Sequence, residues 1–154
     1  MNNLRPSHGF LVFPLVISQI INFILPVSYP KRTFIQPPSY VFGIVWTAIY
    51  LLLGIVLYRM GKIETLSITV IVYTLNLLIN LSWSHIVFGL NFYNYGIFSI
   101  LLMIMLNFVL IVLIDDKVSK LCLIPYTIWL MFALLLQIEL VRSSKYPNLQ
   151  IKIS

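Results

Sequence analysis

The sequence PPSYVFGIVWTAIYLLLG occupies residues 37–54 and sets the architecture of the chain. Its two prolines end whatever precedes them and favour the start of a helix at Ser39. No charged residue follows until Arg59. That leaves about twenty apolar or weakly polar positions, enough to cross a bilayer core at 1.5 Å per helical residue. We therefore predict a transmembrane helix over residues 39–58.

This helix has two distinct faces. Trp46 and Tyr50 are four residues apart and share one face. Ser39, Gly43 and Thr47 form a row of small residues, at which another helix could approach closely. The row predicts a helix–helix contact, either within one chain or in a homodimer. For the aromatic face, packing inside a bundle is favoured over a ligand role.

The composition identifies a membrane protein. The chain has 154 residues, of which 60% are hydrophobic and 9% are charged, and its mean hydropathy is +1.00. A soluble domain carries about 25% charged residues, so this chain cannot cover a water-facing surface. We predict an integral, multi-pass membrane protein whose first partner is the lipid bilayer.

The distribution of charge argues against nucleic-acid binding, and the cysteine count argues against a disulfide framework or a thiolate metal site. The net charge is +6, but the ten Lys and Arg residues are scattered between apolar runs and form no basic face for nucleic acid. They are expected to anchor loops at lipid headgroups. Cys122 is the only cysteine, which excludes a disulfide framework and a thiolate metal site.

Five apolar runs predict an all-α fold, a five-transmembrane-helix bundle forming one domain over residues 1–154. In hydrocarbon only helices or closed barrels satisfy the backbone, and long runs without strict alternation favour helices. The first run lacks a convincing cleavage site, so we read it as a helix rather than a signal peptide. Basic residues divide five to five between the two sides, which leaves the orientation open. The runs are approximately 10–26, 39–58, 66–88, 95–114 and 121–141.

Polar residues inside the third run should point inward. Asn76, Asn80 and Ser84 follow one line of the helix, with Trp83 beside them. An unpaired amide at this depth costs several kcal/mol, so each needs another helix or a ligand. A structural role is favoured for Asn76, whereas for Asn80 the two roles are evenly balanced.

Three further polar residues carry weaker expectations. Gln19 and Asn22 in the first run are expected to face the bundle and bond across helices. His85 has no His or Cys partner at metal-ligand spacing. A hydrogen-bonded histidine at the membrane interface is therefore favoured over a metal or haem ligand.

The fifth run places aromatic residues on one face. Tyr126, Trp129, Phe132, Ala133 and Leu136 recur at steps of three and four residues. An alanine one turn from Trp129 leaves room on that face, as a flat ligand would need.

Three blocks together resemble the TspO/translocator-protein family, also called peripheral-type benzodiazepine receptor homologues. The five-span plan fits along nearly the whole chain. The blocks are Pro37-Pro38-x-x-Val41-Phe42-Gly43-x-Val45-Trp46-x-x-x-Tyr50-x-x-x-Gly54, Asn80-x-x-Trp83-x-x-x-x-Phe88-Gly89 and Pro125-Tyr126-x-x-Trp129-x-x-Phe132-Ala133-x-x-Leu136.

The resemblance implies a bundle with a pocket for porphyrins, synthetic isoquinoline or benzodiazepine ligands and, in animals, cholesterol nearby. It also implies light- and oxygen-dependent conversion of protoporphyrin by some bacterial members, in which tryptophans matching Trp46 and Trp129 act without a metal or bound redox cofactor. The family's pocket positions and the two aromatic faces give these candidate ligand-binding residues: Tyr40, Phe42, Trp46, Tyr50, Asn80, Trp83, Tyr126, Trp129, Phe132 and Ala133.

The chain departs from the family pattern at several places. Tyr40 stands where many members have Trp, and the loop before Pro37 lacks the usual Trp-Tyr pair, which implies a reduced lid over the pocket. Leu134 and Leu135 replace the polar and tyrosine residues of the fifth-helix cholesterol motif, and Gln137 stands at its Asn. The motif therefore does not imply sterol binding here.

These observations favour a binding protein for tetrapyrroles or similar flat hydrophobic molecules, acting as a sensor or regulator in a bacterial cell membrane. A porphyrin-degrading enzyme is the first alternative, although no nucleophile–base–acid set is evident. A transporter of tetrapyrroles or sterols is the second. It should show intramembrane charge or broken-helix repeats, and neither is evident.

Overall fold

The computed structural model describes residues 8–26, 37–61 and 67–145. Within these ranges the chain is helical and contains no strand, which confirms the all-α prediction. A short π-helical segment, His85–Gly89, continues the third helix. The helices are α1 (Gly9–Ile24), α2 (Ser39–Met60), α3 (Ile68–Ser84), α4 (Tyr93–Leu113) and α5 (Lys117–Lys145).

Four of the five helices are long and apolar enough to cross a membrane: α2, α3 with its π-helical continuation, α4 and α5. The first, α1, is apolar but has only 16 residues, a length of about 24 Å at 1.5 Å per residue. The prediction for α5, residues 121–141, was too short at both ends. Asp116 caps its start, because Asp116 Oδ2 accepts hydrogen bonds from the backbone N–H and the hydroxyl of Ser119 at 2.8 and 2.7 Å.

The helices pack in a ring. Along this ring α1 packs on α2, α2 on α5, α5 on α4 and α4 on α3, while α3 touches α1. Leu, Ile, Val, Met and Tyr side chains fill the interior, and apolar side chains such as Phe98 and Val112 are exposed on the outside. Outward-facing apolar residues of this kind suit contact with lipid tails, in keeping with the predicted membrane bundle.

Two charged or polar contacts tie helix ends together on opposite sides of the bundle. On one side, Arg59 at the end of α2 donates two hydrogen bonds to Asp116, Nε to Oδ2 at 2.5 Å and Nη2 to Oδ1 at 2.6 Å. On the other, His85 Nε2 donates to the carbonyl oxygen of Leu25 at 2.9 Å, and Ser84 Oγ lies 3.3 Å from its Nδ1. His85 is therefore a hydrogen-bonded residue at a helix end, as predicted.

The first helix meets α2 at Gly54. A Cβ at this position would collide with the backbone carbonyl of Leu11, so the two helices approach as closely as glycine allows. On α1, Pro14 and Ser18 are buried in the contact. The expectation that Gln19 and Asn22 face the bundle is wrong, because both are exposed. Gln19 lies about 100° around the helix from the buried Ser18, and Asn22 follows Ser18 on the same line but lies in the last turn of α1.

The small-residue row of α2 packs against no described helix. Ser39, Gly43 and Thr47 are exposed, and a Cβ at Gly43 would meet nothing within 4 Å. The prediction of a contact within one chain is therefore wrong, since α1 makes its close approach at Gly54 instead. A contact at this row in a homodimer stays a prediction.

Candidate ligand site

A chain of hydrogen bonds crosses the interior and joins four helices. Tyr50 of α2 donates from its hydroxyl to Asn80 Oδ1 at 2.8 Å, and Asn80 Nδ2 donates to the Tyr126 hydroxyl at 3.1 Å. Tyr126 of α5 donates in turn to Asn76 Oδ1 at 2.8 Å. Asn76 Nδ2 then donates to the backbone carbonyl of Met103 on α4 at 2.9 Å.

This network defines what Asn76 and Asn80 do in the described structure. Both amides are buried, 3% and 6% exposed, and each accepts one and donates one hydrogen bond within the bundle. The structural role expected of Asn76 is confirmed. The predicted ligand-binding residues Tyr50, Asn80 and Tyr126 are brought together, and their polar groups bond to one another.

Next to the network, α2 and α5 meet through aromatic rings. The rings of Trp46 and Trp129 stand edge to face with centroids 6.2 Å apart, and Trp46 stacks on Tyr50 at 5.7 Å. Phe42 and Phe132 also contact the Trp129 ring, with centroids 5.7 and 5.4 Å away. We call Phe42, Trp46, Trp129 and Phe132 the aromatic seam. All four side chains are partly buried, so the seam reaches from the interior to the outer surface.

A small cavity lies behind the seam. It offers about 10 Å³ to the centre of a water-sized sphere, which is room for about one water molecule. A drug-sized ligand needs a pocket of about 300–1,000 Å³, so a flat ligand can bind here only if the seam opens. The lining residues are Trp46, Asn80, Trp83, Ile100, Met103, Leu130 and Ala133.

Two indole groups at this site hold buried N–H donors without a partner in the part of the chain that the structure describes. They are Trp83 Nε1 and Trp129 Nε1. Trp83 sits at the end of α3, where the π-helical segment brings Phe88 against its ring edge to face at 5.2 Å. An unpaired buried donor costs about 1–3 kcal/mol. Such groups mark a place where an acceptor would be stabilising.

The structure separates one candidate residue from the others. Tyr40 lies in the first turn of α2 and is 68% exposed, outside the aromatic seam, and its place in a binding site stays a prediction. The loop before Pro37, for which a reduced lid is implied, lies outside the described residues.

The fourth helix, α4, also lines the cavity, a role that its sequence was not predicted to have. Ile100 and Met103 of this helix form one wall. A signal was present, because Ser99, Met103 and Asn107 recur every fourth residue and all three are buried. Asn107 bonds to Thr127 at 2.6 Å and fixes α4 against α5.

The sequence model of the TspO/MBR family matches residues 10–142 of the chain. The chain belongs to the TspO/MBR family.

Two curated members of the TspO/MBR family are similar in sequence along most of their length. The chain is 30% identical to the tryptophan-rich protein TspO of Chlorobaculum tepidum, over 70% of this chain and 75% of that protein. It is 31% identical to the tryptophan-rich protein TspO of Archaeoglobus fulgidus, over 67% of this chain and 69% of that protein. Membership supports a membrane protein with a tetrapyrrole-related role in general.

Proposed function

We propose that this protein binds a porphyrin-type tetrapyrrole, or a similar flat hydrophobic molecule, inside the bundle between α2, α3 and α5. The observation that carries the proposal is the convergence of three tryptophans from three helices. Trp46 and Trp83 line one cavity, and Trp129 packs edge to face on Trp46. Indole rings offer large apolar faces with one polar group each, which suits stacking on a planar macrocycle.

The ligand would enter the bundle through the aromatic seam. Its rings are partly exposed, and in a bundle surrounded by lipid they would meet the hydrocarbon, where a hydrophobic ligand would concentrate. Ala133, beside the cavity and one turn from Trp129, is the smallest side chain of the lining. Rotation of Trp129 or Phe132 towards lipid would therefore open space on the Ala133 side without breaking the Tyr50–Asn80 hydrogen bond.

The proposed role is that of a sensor or regulator of tetrapyrrole levels in a bacterial cell membrane. Binding that opens the seam would change the packing of α2 against α5, and a ligand shifts such an equilibrium by its preference for the open state. A change in helix packing is a signal that a partner protein could read.

Light-dependent porphyrin degradation is the second candidate. The observation in its favour is the contact between Trp46 and Trp129, because an excited porphyrin stacked there could oxidise an indole, with dioxygen as the final oxidant. No His, Asp or Glu is among the described residues that line the cavity, so general acid–base chemistry has no group to perform it. The indoles are the reactive groups this alternative requires.

A titration of purified protein with protoporphyrin, in the dark and under illumination, tests both candidates. We expect quenching of tryptophan fluorescence in the dark, and a shift of the porphyrin absorbance that saturates at one ligand per chain. Trp129→Phe keeps a ring but removes the indole, so it should weaken binding by about tenfold or less, given stacking worth on the order of 0.5–1.5 kcal/mol.

Illumination then separates binding from chemistry. A binding protein should leave the porphyrin absorbance intact in both forms. Light-dependent loss of absorbance in the wild type, abolished in Trp129→Phe with most binding retained, would instead support the enzyme. Absence of saturable binding in the dark would overturn the proposed function.

A further inference from the structure

Among the described residues that line the cavity behind the seam, Trp83 has an unpaired hydrogen-bond donor. Of its lining residues, only Trp46, Asn80 and Trp83 carry polar side-chain atoms that donate or accept strongly. Asn80 Oδ1 already accepts from Tyr50 at 2.8 Å. The indole of Trp83 is a donor only, and its N–H is buried without a partner among the described residues.

Trp83 is the point where two independent observations meet. Among the described residues, it alone both lines the cavity and holds a buried indole N–H without a partner. Its ring is fixed by the edge-to-face contact with Phe88 at 5.2 Å, on the π-helical segment that ends α3. The unpaired donor of Trp83 is therefore held in one place beside the cavity.

The rest of the lining restricts the kind of acceptor. Ile100, Met103, Leu130 and Ala133 are apolar, and no Lys, Arg or His is among the described lining residues. An ionised carboxylate taken into such a site would lose its hydration without gaining a counter-charge, which is strongly unfavourable. A neutral carbonyl has a much smaller desolvation cost and still accepts the indole N–H.

We propose that the ligand carries a neutral hydrogen-bond acceptor at its edge, an ester, amide or protonated acid carbonyl, which accepts from Trp83 Nε1–H. This inference rests on the proposed function, because it concerns the same cavity. It narrows the ligand from any flat hydrophobic molecule to one with an uncharged polar edge.

Two porphyrins that differ only at the edge test it. Mesoporphyrin dimethyl ester carries two propionate side chains as methyl esters, each with one carbonyl. Etioporphyrin has an ethyl group at each of these two ring positions. Both are titrated in the dark into purified wild-type protein, Trp83→Phe and, as a matched control from the same cavity wall, Trp46→Phe. For each protein, the affinity for the ester is divided by the affinity for etioporphyrin. Dividing this ratio for a variant by the ratio for the wild type cancels the partition of each porphyrin into detergent.

We expect the wild type to prefer the ester by about five- to tenfold, as one satisfied hydrogen bond predicts. The preference should disappear in Trp83→Phe and persist in Trp46→Phe, although both variants lose some affinity for each porphyrin. If Trp83→Phe does not fold, the wild-type ratio, corrected for partition into protein-free micelles, decides alone.

The outcomes separate this inference from the function beneath it. Equal affinity of the wild type for the two porphyrins, or a preference that survives Trp83→Phe, would overturn the acceptor while leaving porphyrin binding in place. If Trp83→Phe weakens binding of the ionised mesoporphyrin diacid more than that of the ester, the acceptor is a carboxylate and the neutral class is wrong. Failure of every porphyrin to bind would overturn both proposals.

Discussion

At the scale of single residues, the Tyr126 hydroxyl links the two buried amides of α3, because it accepts a hydrogen bond from Asn80 and donates one to Asn76. We expect Tyr126→Phe to lower the free energy of unfolding by about 1–3 kcal/mol, the cost of leaving buried polar groups unpaired. Tyr40→Phe is the control, since Tyr40 is 68% exposed on the outside of α2. Denaturant unfolding in detergent measures both. Equal stability of the two variants would show that the hydrogen bonds of the Tyr126 hydroxyl contribute nothing to the free energy of unfolding.

At this scale the sequence predicts which side chains point inward better than it predicts their partners. The cost of an unpaired amide in hydrocarbon correctly places Asn76 and Asn80 inside, whereas the same argument fails for Gln19 and Asn22 of α1, which are exposed. It could not show that Tyr126 would take up one hydrogen-bonding group of each, because that pairing depends on how α3 and α5 are aligned. Gln137 gives a second example: it donates to the Tyr93 carbonyl at 2.8 Å across α4 and α5. Nothing local in the sequence indicates that partner.

At the scale of helices, the close approach of α1 and α2 depends on Gly54. We expect Gly54→Ala to destabilise the protein by about 1–3 kcal/mol, because the added methyl group meets the backbone of Leu11 and cannot be accommodated by side-chain movement. Gly43→Ala is the matched control on the same helix. Its methyl group meets no atom within 4 Å, so the better helix propensity of alanine should leave stability unchanged or raised.

Thermal unfolding of both variants in detergent measures the contrast. A loss of stability in Gly43→Ala together with a change in oligomeric state would place the small-residue row in a homodimer. Equal and small effects at both positions would mean that α1 can shift away from α2 at little cost.

The elements themselves were largely predictable, and their contacts were not. Long apolar runs define helices because hydrocarbon forces the backbone to satisfy itself, and four helices of spanning length were found where such runs occur. Small residues only permit a close approach, so the row of Ser39, Gly43 and Thr47 did not determine where α1 would pack. Gly54 faces α1 and Gly43 does not, which depends on the position of α1 in the bundle and is invisible in α2 alone.

At the scale of the whole molecule, polar contacts at three depths hold the bundle together. Arg59 and Asp116 join helix ends on one side, the Tyr126 network joins four helices in the interior, and His85 binds Leu25 on the other side. Between α2 and α5, on the side of the cavity, the contact is made by the rings of the seam. The part of the bundle that would open in the proposed binding is thus held by ring contacts rather than by hydrogen bonds.

The ion pair between Arg59 and Asp116 should make the stability of the folded protein depend on pH. The hydrogen bonds that the Asp116 carboxylate accepts from Arg59, and then those it accepts from Ser119, hold its pKa well below the usual range of a carboxyl group. Because the pKa is lower in the folded state than in the unfolded state, the contribution to stability is complete above about pH 4 and is lost as the pH falls through the folded-state value.

We expect Asp116→Asn to lower the unfolding midpoint in detergent by a few degrees at pH 7. The difference in midpoint between this variant and the wild type should narrow as the pH falls from 5 to 3. Asp115→Asn is the control, since it removes the same charge from the neighbouring residue and leaves the paired contact to Arg59 in place. A gap that stays constant over this range, or an equal loss in Asp115→Asn, would show that the ion pair and the helix cap do not stabilise this end of the bundle.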